Sequence, residues 1–117
     1  MTDGNASQFV IYQSDDGKIK LDVRFVDETV WLTQQQLAEL FQTSRTNVVE
    51  HIQHIYDEGE LVAAATCREF RQVRTEGARE VARNMAFYNL DMTLSVGYRV
   101  KSAVATRFRI WATQQLR

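Results

Sequence analysis

Residues 32–55 read LTQQQLAELFQTSRTNVVEHIQHI, and their spacing predicts two short helices joined by a tight turn. Thr33 suits an N-cap: its hydroxyl can accept from the amide three residues on, and Gln36 there can return a bond to the Thr33 amide. Leu37, Ala38, Leu40 and Phe41 then share one helical face, and this helix runs to about Gln42. Ser44 can cap the second helix, along which Val48, Val49, Ile52, Ile55 and Tyr56 recur at steps of three and four. Gly59 ends it. Ala38 is the small residue that close approach of the two helices requires, and Gln42-Thr43-Ser44 is the turn. Glycine is common at the position of Gln42, so its absence weakens the pattern.

A helix-turn-helix centred on Thr33 to His54 is therefore expected. Its second helix would expose Arg45, Thr46, Asn47, Glu50, His51 and His54, donors and acceptors able to meet phosphates and base edges in a major groove. Ser44 and Arg45 lie at the helix start, where the dipole favours phosphate. Asn47 and His51 stand one turn apart, and Asn47 suits adenine. The competing reading is a plain helical hairpin with a solvated outer face. Glu50 speaks for it, since phosphates repel a carboxylate unless it accepts from a cytosine amino group. His51 and His54 have no matching carboxylate or cysteine to complete a metal set, so neither a metal nor another cofactor is expected.

N-terminal to this motif, residues 1–8 read as a disordered tail, and residues 9–117 as a single domain. FVIYQ at 9–13, SDDG at 14–17 and KIKLDVRF at 18–25 have the form of a β-hairpin whose second strand alternates Ile19, Leu21, Val23 and Phe25 toward one buried face. A turn at Asp27-Glu28 leads to TVWL at 29–32, completing a three-stranded sheet. On the C-terminal side, REFRQVR from Arg68 and REVARNMAFYNL from Arg79 predict a second hairpin about a turn containing Glu76 and Gly77, although Ala78 to Met85 also reads as helix. Asp91 is expected to cap a helix through Val96, with Gly97 weakening its end. A last helix from about Ser102 would bury Val104, Phe108, Trp111 and Ala112, and both closing segments would pack under the helix-turn-helix. The fold class is α+β: a small N-terminal antiparallel sheet, a winged-helix-like helix-turn-helix with a basic β-hairpin, and two C-terminal helices.

The apolar fraction of 44% and charged fraction of 25% suit a folded globular domain. No apolar run approaches the roughly 20 residues of a membrane span, and MTDGNASQ lacks the features of a signal peptide, which predicts a cytoplasmic, membrane-free protein. Cys67 stands alone, excluding an internal disulfide and a multi-cysteine zinc site. The net charge of −1 hides an asymmetry. Residues 1–65 hold four basic against eleven acidic residues, a balance of −7, whereas residues 66–117 hold ten basic, nearly all Arg, against four acidic, a balance of +6. Either the second part presents a positive face suited to phosphate, or the two parts pair internally. On the first reading Arg71, Arg74, Arg79 and Arg83 of the hairpin join Thr33, Ser44, Arg45, Thr46, Asn47, Glu50 and His51 as DNA contacts.

No nucleophile–base pair, carboxylate pair, metal set or phosphate-cradling loop is legible, so neither an enzyme nor a small-molecule substrate is expected. The chain also resembles the RhuM-type virulence-associated proteins of bacteria and their prophages. The resemblance rests on FVIYQSDDGKIKLDVRF (9–25), on DETVWLTQQQLAELFQTSRTNVVEHIQHIYDEGEL (27–61), on FYNLDMTLSVGYRVKS (87–102) and on TRFRIWATQQLR (106–117). It implies a DNA-binding N-terminal module, usually followed by a longer C-terminal region, and no catalytic residues. FRIWATQQL is also similar to the closing helix of Bro-N phage antirepressor-type domains. Residues 62–84 depart from the family's usual Lys-rich arm, keeping its basic character through Arg. The expected function is sequence-specific binding of double-stranded DNA in a transcriptional or prophage regulator, with homodimerisation compatible. The alternative is a protein-interaction or dimerisation module anchored by Trp31, Tyr56, Phe87, Tyr88 and Trp111, unless those aromatics are core.

Overall fold

Ser14 and Asp16 make the first reversal of the chain in the computed structural model, which describes residues 7–116. Ser14 Oγ donates to Asp16 Oδ1 at 2.7 Å, Asp16 accepts from the Lys18 amide at 3.0 Å, and Gly17 takes φ 75°. Strands β1 (Gln8–Gln13) and β2 (Lys20–Val26) pair antiparallel on either side. Gln8 thus belongs to a strand rather than to the expected tail, whose residues 1–6 lie outside the described ones. Asp27 and Glu28, both at positive φ (52° and 63°), form the two-residue turn that suits the strand twist and leads into β3 (Thr29–Trp31).

The alternation expected along β2 holds for Lys20 to Val23 and then stops. Arg24, Phe25 and Val26 are all buried, because the base of the second hairpin covers the sheet's other face. The expectation of one buried face is corrected accordingly.

The capping box forms as read. Thr33 Oγ1 accepts from the Gln36 amide at 3.1 Å, Gln36 Oε1 accepts from the Thr33 amide at 3.0 Å, and α1 (Gln34–Phe41) follows. Gln42 adopts the left-handed conformation that glycine usually supplies, at φ 54°, and the Thr43 amide then reaches Ala38 O at 3.0 Å. Ser44 Oγ accepts from the Asn47 amide at 3.0 Å and caps α2 (Arg45–Asp57). Gly59, at φ 75°, ends that helix, with the Glu60 amide donating to Ile55 O at 3.0 Å. A single turn, α3 (Ala63–Thr66), which the sequence pattern had left unassigned, leads to β4 (Cys67–Glu76).

Residues 79–88 form strand β5 (Arg79–Tyr88), so of the two readings of this stretch the strand holds. Gly77, at φ 64°, is the first of two turn residues between the paired Glu76 and Arg79. The two sheets meet at one bridge, where Leu32 and Tyr88 exchange both backbone hydrogen bonds (2.9 and 2.8 Å).

Helix α4 (Leu90–Arg99) is capped by Asn89, whose side chain accepts from the Met92 amide at 3.2 Å. The expected cap, Asp91, lies instead in the first turn, where a carboxylate complements the helix dipole. Gly97 lies inside α4, which runs on to Arg99 past the expected end at Val96, and it is fully packed: a Cβ there would lie 2.7 Å from both Ala105 Cβ and the Phe41 ring. Helix α5 (Val104–Gln115) buries Phe108 and Ala112. Its Trp111 meets Tyr12 and Phe25 edge-on, with centroids at 5.2 and 5.8 Å, so the stripe of α5 packs on the three-stranded sheet as well as on α1 and α4. Trp31, Phe87 and Tyr88 are core, and Tyr56 and Trp111 are half-buried. Among the described residues no helix is long and apolar enough to cross a membrane.

Candidate nucleic-acid interface

Beyond Phe70 and Met85 the β4–β5 hairpin is an arm whose residues are nearly all exposed. Its register sets Gln72 against Arg83, Arg74 against Val81 and Glu76 against Arg79. Cross-strand partners share a face and successive residues alternate. Arg74, Arg79 and Arg83 therefore project on one face of the arm, and Arg71 on the other, beside Asn84.

Internal pairing absorbs part of the positive charge. Arg68 meets Asp27 at 2.9 Å, Arg83 meets Glu76 at 3.1 Å, Arg107 meets Asp15 at 3.8 Å, and Arg99 is held by Glu58 (2.7 Å) and Glu60 (2.8 Å). The Arg99 guanidinium holds both glutamates below the usual carboxylate range. Arg71, Arg74 and Arg79 have no ion pair among the described residues. Each of the two readings of the charge asymmetry therefore accounts for some of these arginines.

On α2, Arg45, Thr46, Glu50 and His54 are exposed, and Asn47 and His51 are half-buried. Ser44 is committed to its cap, and Asn47 locks the turn as well, its amide nitrogen donating to Thr43 Oγ1 at 2.8 Å. Between the starts of α1 and α2 and the flank of the arm lies an open cleft of about 580 Å³. Thr33, Gln34 and Arg45 form one wall, and Gln72, Arg74 and Asn84 the other. The cleft brings together Thr33, Arg45 and Arg74 of the expected contacts. Thr46, Asn47, Glu50 and His51 continue along α2, and Arg71, Arg79 and Arg83 lie on the arm, outside its lining.

The carboxamides of Gln34, Gln72 and Asn84 were not singled out from the sequence, since nothing local marks a glutamine as cleft-lining. Arg24 was missed for a related reason. Only 7% exposed, its guanidinium lies 4.4 Å from the Phe70 ring centroid and 4.8 Å from those of Phe9 and Phe87. Its Nε has no hydrogen-bond partner among the described residues, Nη1 donates to Ser7, and burial pulls its pKa down. Arg24, like Arg68 over Trp31 at 4.8 Å, thus fastens the arm to the sheet and is withdrawn from any phosphate-binding surface. Burial raises the pKa of the half-buried Cys67 thiol, which disfavours the thiolate. Among the described residues no group of three or more His, Cys, Asp or Glu is placed to hold a metal ion.

The arm, α4 and α5 carry a family signature. Residues 65–117 match the model of the Virulence protein RhuM family. The resemblance read from the sequence holds over that stretch, which takes in the arm's arginines and the aromatic stripe of α5. The α1–turn–α2 unit precedes it. No curated protein and no solved structure matches the chain.

Proposed function

We propose that this chain is a sequence-reading DNA-binding module of a bacterial or prophage-derived regulator of the RhuM type. Helix α2 enters the major groove of a duplex as the second element of a helix-turn-helix, and the arginine arm lies along the backbone beside it as a wing. The observation that carries this reading is the shared cleft: Arg45 at the capped start of α2 and Arg74 of the arm face the same open space. A helix N-terminus and an arginine fork both favour phosphate, so a phosphodiester strand suits this cleft. Thr33 presents the start of α1 to it and Arg45, next to the Ser44 cap, the start of α2, while Thr46, Asn47, Glu50 and His51 face the base edges. Arg71, Arg74, Arg79 and Arg83 supply sequence-independent attraction. The module is read as non-catalytic and cytoplasmic, with double-stranded DNA as its partner and a homodimer as the arrangement that would place two copies on adjacent half-sites.

A second reading, a protein-interaction or dimerisation module, finds support at the sheet edge. Strand β1 is an outer strand, its sequence QFVIYQ carries no charge, and Phe9 and Ile11 are 55% and 52% exposed. Selection from a random duplex pool at low salt decides between the two. The DNA reading predicts enrichment of a defined site. It further predicts that Asn47→Ala or His51→Ala relaxes preference at single positions by about 1–3 kcal/mol, whereas Arg45→Ala weakens all sequences alike. Failure to retain any duplex, with self-association or protein capture instead, would overturn it in favour of the second reading.

A further inference from the structure

Arg45 is not free to sweep the cleft. Its Nε and Nη2 both donate to Gln34 Oε1, at 3.2 and 3.1 Å, and the same Gln34 donates through Nε2 to the Tyr88 hydroxyl at 3.1 Å. A carboxamide can hold a guanidinium fork at its oxygen while giving a proton to a hydroxyl at its nitrogen. Tyr88 is itself immobilised. It is 6% exposed, lies at the end of β5, and forms the double backbone bridge to Leu32 that joins the two sheets. An unbroken path of hydrogen bonds thus runs from the base of the arm to the first cation of α2, while the remaining guanidinium N–H groups of Arg45 stay available.

We propose that Tyr88 is a positioning residue: acting through Gln34, it orients the Arg45 guanidinium toward a phosphodiester in the cleft, so that the arm and the reading helix engage DNA as one unit. This rests on the DNA-binding reading given above. Ordering a long, rotamer-rich side chain before binding lowers the entropic cost of contact, and Arg holds such a geometry better than Lys because its fork is planar. Tyr88→Phe keeps the ring in the core and deletes only the hydroxyl. Gln34→Ala interrupts the same path at a half-exposed position and serves where the first variant fails to fold.

The test has two arms. In the full chain without DNA, the Arg45 Nε–H resonance should be dispersed and slowly exchanging, and should become solvent-averaged in Tyr88→Phe and in Gln34→Ala. For a random-sequence duplex, Tyr88→Phe should weaken binding about three- to tenfold, and that loss should vanish when Arg45→Ala is already present. An Arg45 resonance that is averaged in the wild type, or unchanged by both variants, overturns the inference. So does a loss on Tyr88→Phe that persists in full without Arg45, since a merely structural role would behave that way. If the wild type binds no duplex, the DNA-binding reading fails and takes the proposed role toward phosphate with it, while the resonances separately report whether the path orders Arg45.

Discussion

Gln42 and Gly97 show how single residues set the geometry of the central helices. Gln42 holds φ 54° and ψ 50° at the end of α1, where a side chain costs about 1–2 kcal/mol relative to a right-handed conformation. Gln42→Gly should therefore be tolerated or raise stability by up to about 1 kcal/mol, the gain being offset by the freer unfolded chain. A urea titration checks this, and a loss above about 1 kcal/mol would show that the Gln42 side chain has a role of its own. At Gly97 the expectation is opposite, because Ala105 and Phe41 already occupy the space of a Cβ. Gly97→Ala should cost about 1–3 kcal/mol by overpacking, and an unchanged midpoint would mean that α4 and α5 can separate without strain. Capping was legible at this scale because Thr33 with Gln36, and Ser44 with Asn47, interact within one turn. Arg24 was not, because two of its three stacking partners, Phe70 of β4 and Phe87 of β5, lie far along the chain. Alternation along β2 alone sends its side chain to water.

Elements are joined by contacts that local pattern does not reveal, and the Arg99 network is an example. Arg99 near the end of α4 bonds Glu58 and Glu60 just past α2, and Ser95 donates to Glu60 at 2.7 Å. Because both glutamates titrate below their ordinary range in the fold, their contribution is present above about pH 4.3 and is lost as pH falls below it. Acid unfolding followed by circular dichroism should show this, and Arg99→Gln should flatten the fall in stability from neutral to acid pH. An equal fall in both proteins would mean that these exposed pairs contribute nothing. The β4–β5 arm was legible as a hairpin through Gly77. The ambiguity at Ala78 to Met85 arose because Ala78, Val81, Ala82 and Met85 recur at steps of three and four, a helical spacing, and only pairing with β4 decides it. For α5, the apolar stripe was visible but its partner was not. Phe108 is fully buried against Tyr12 and Trp111, so Phe108→Ala should cost about 3–5 kcal/mol in a urea titration. A cost below about 1 kcal/mol would make α5 peripheral.

Across the whole molecule, the −7 and +6 balances of the two parts do not cancel by pairing alone, because Arg71, Arg74 and Arg79 carry no ion pair among the described residues. The charge asymmetry was legible in the sequence. Which arginines it leaves available was not, since that depends on strand register and on acids from distant turns such as Asp27 and Asp15. The central claim is that these three arginines, together with Arg83 and Arg45, engage the backbone of duplex DNA, and the salt dependence of binding tests it most directly. For the wild type, log K against log salt should fall with a slope of about −4 to −5, as five phosphate contacts require. Replacing Arg74 and Arg79 together by Ala should shrink that slope by about 2 while leaving the preferred site unchanged. A wild-type slope near zero, or a slope that the double variant leaves intact, would contradict the account.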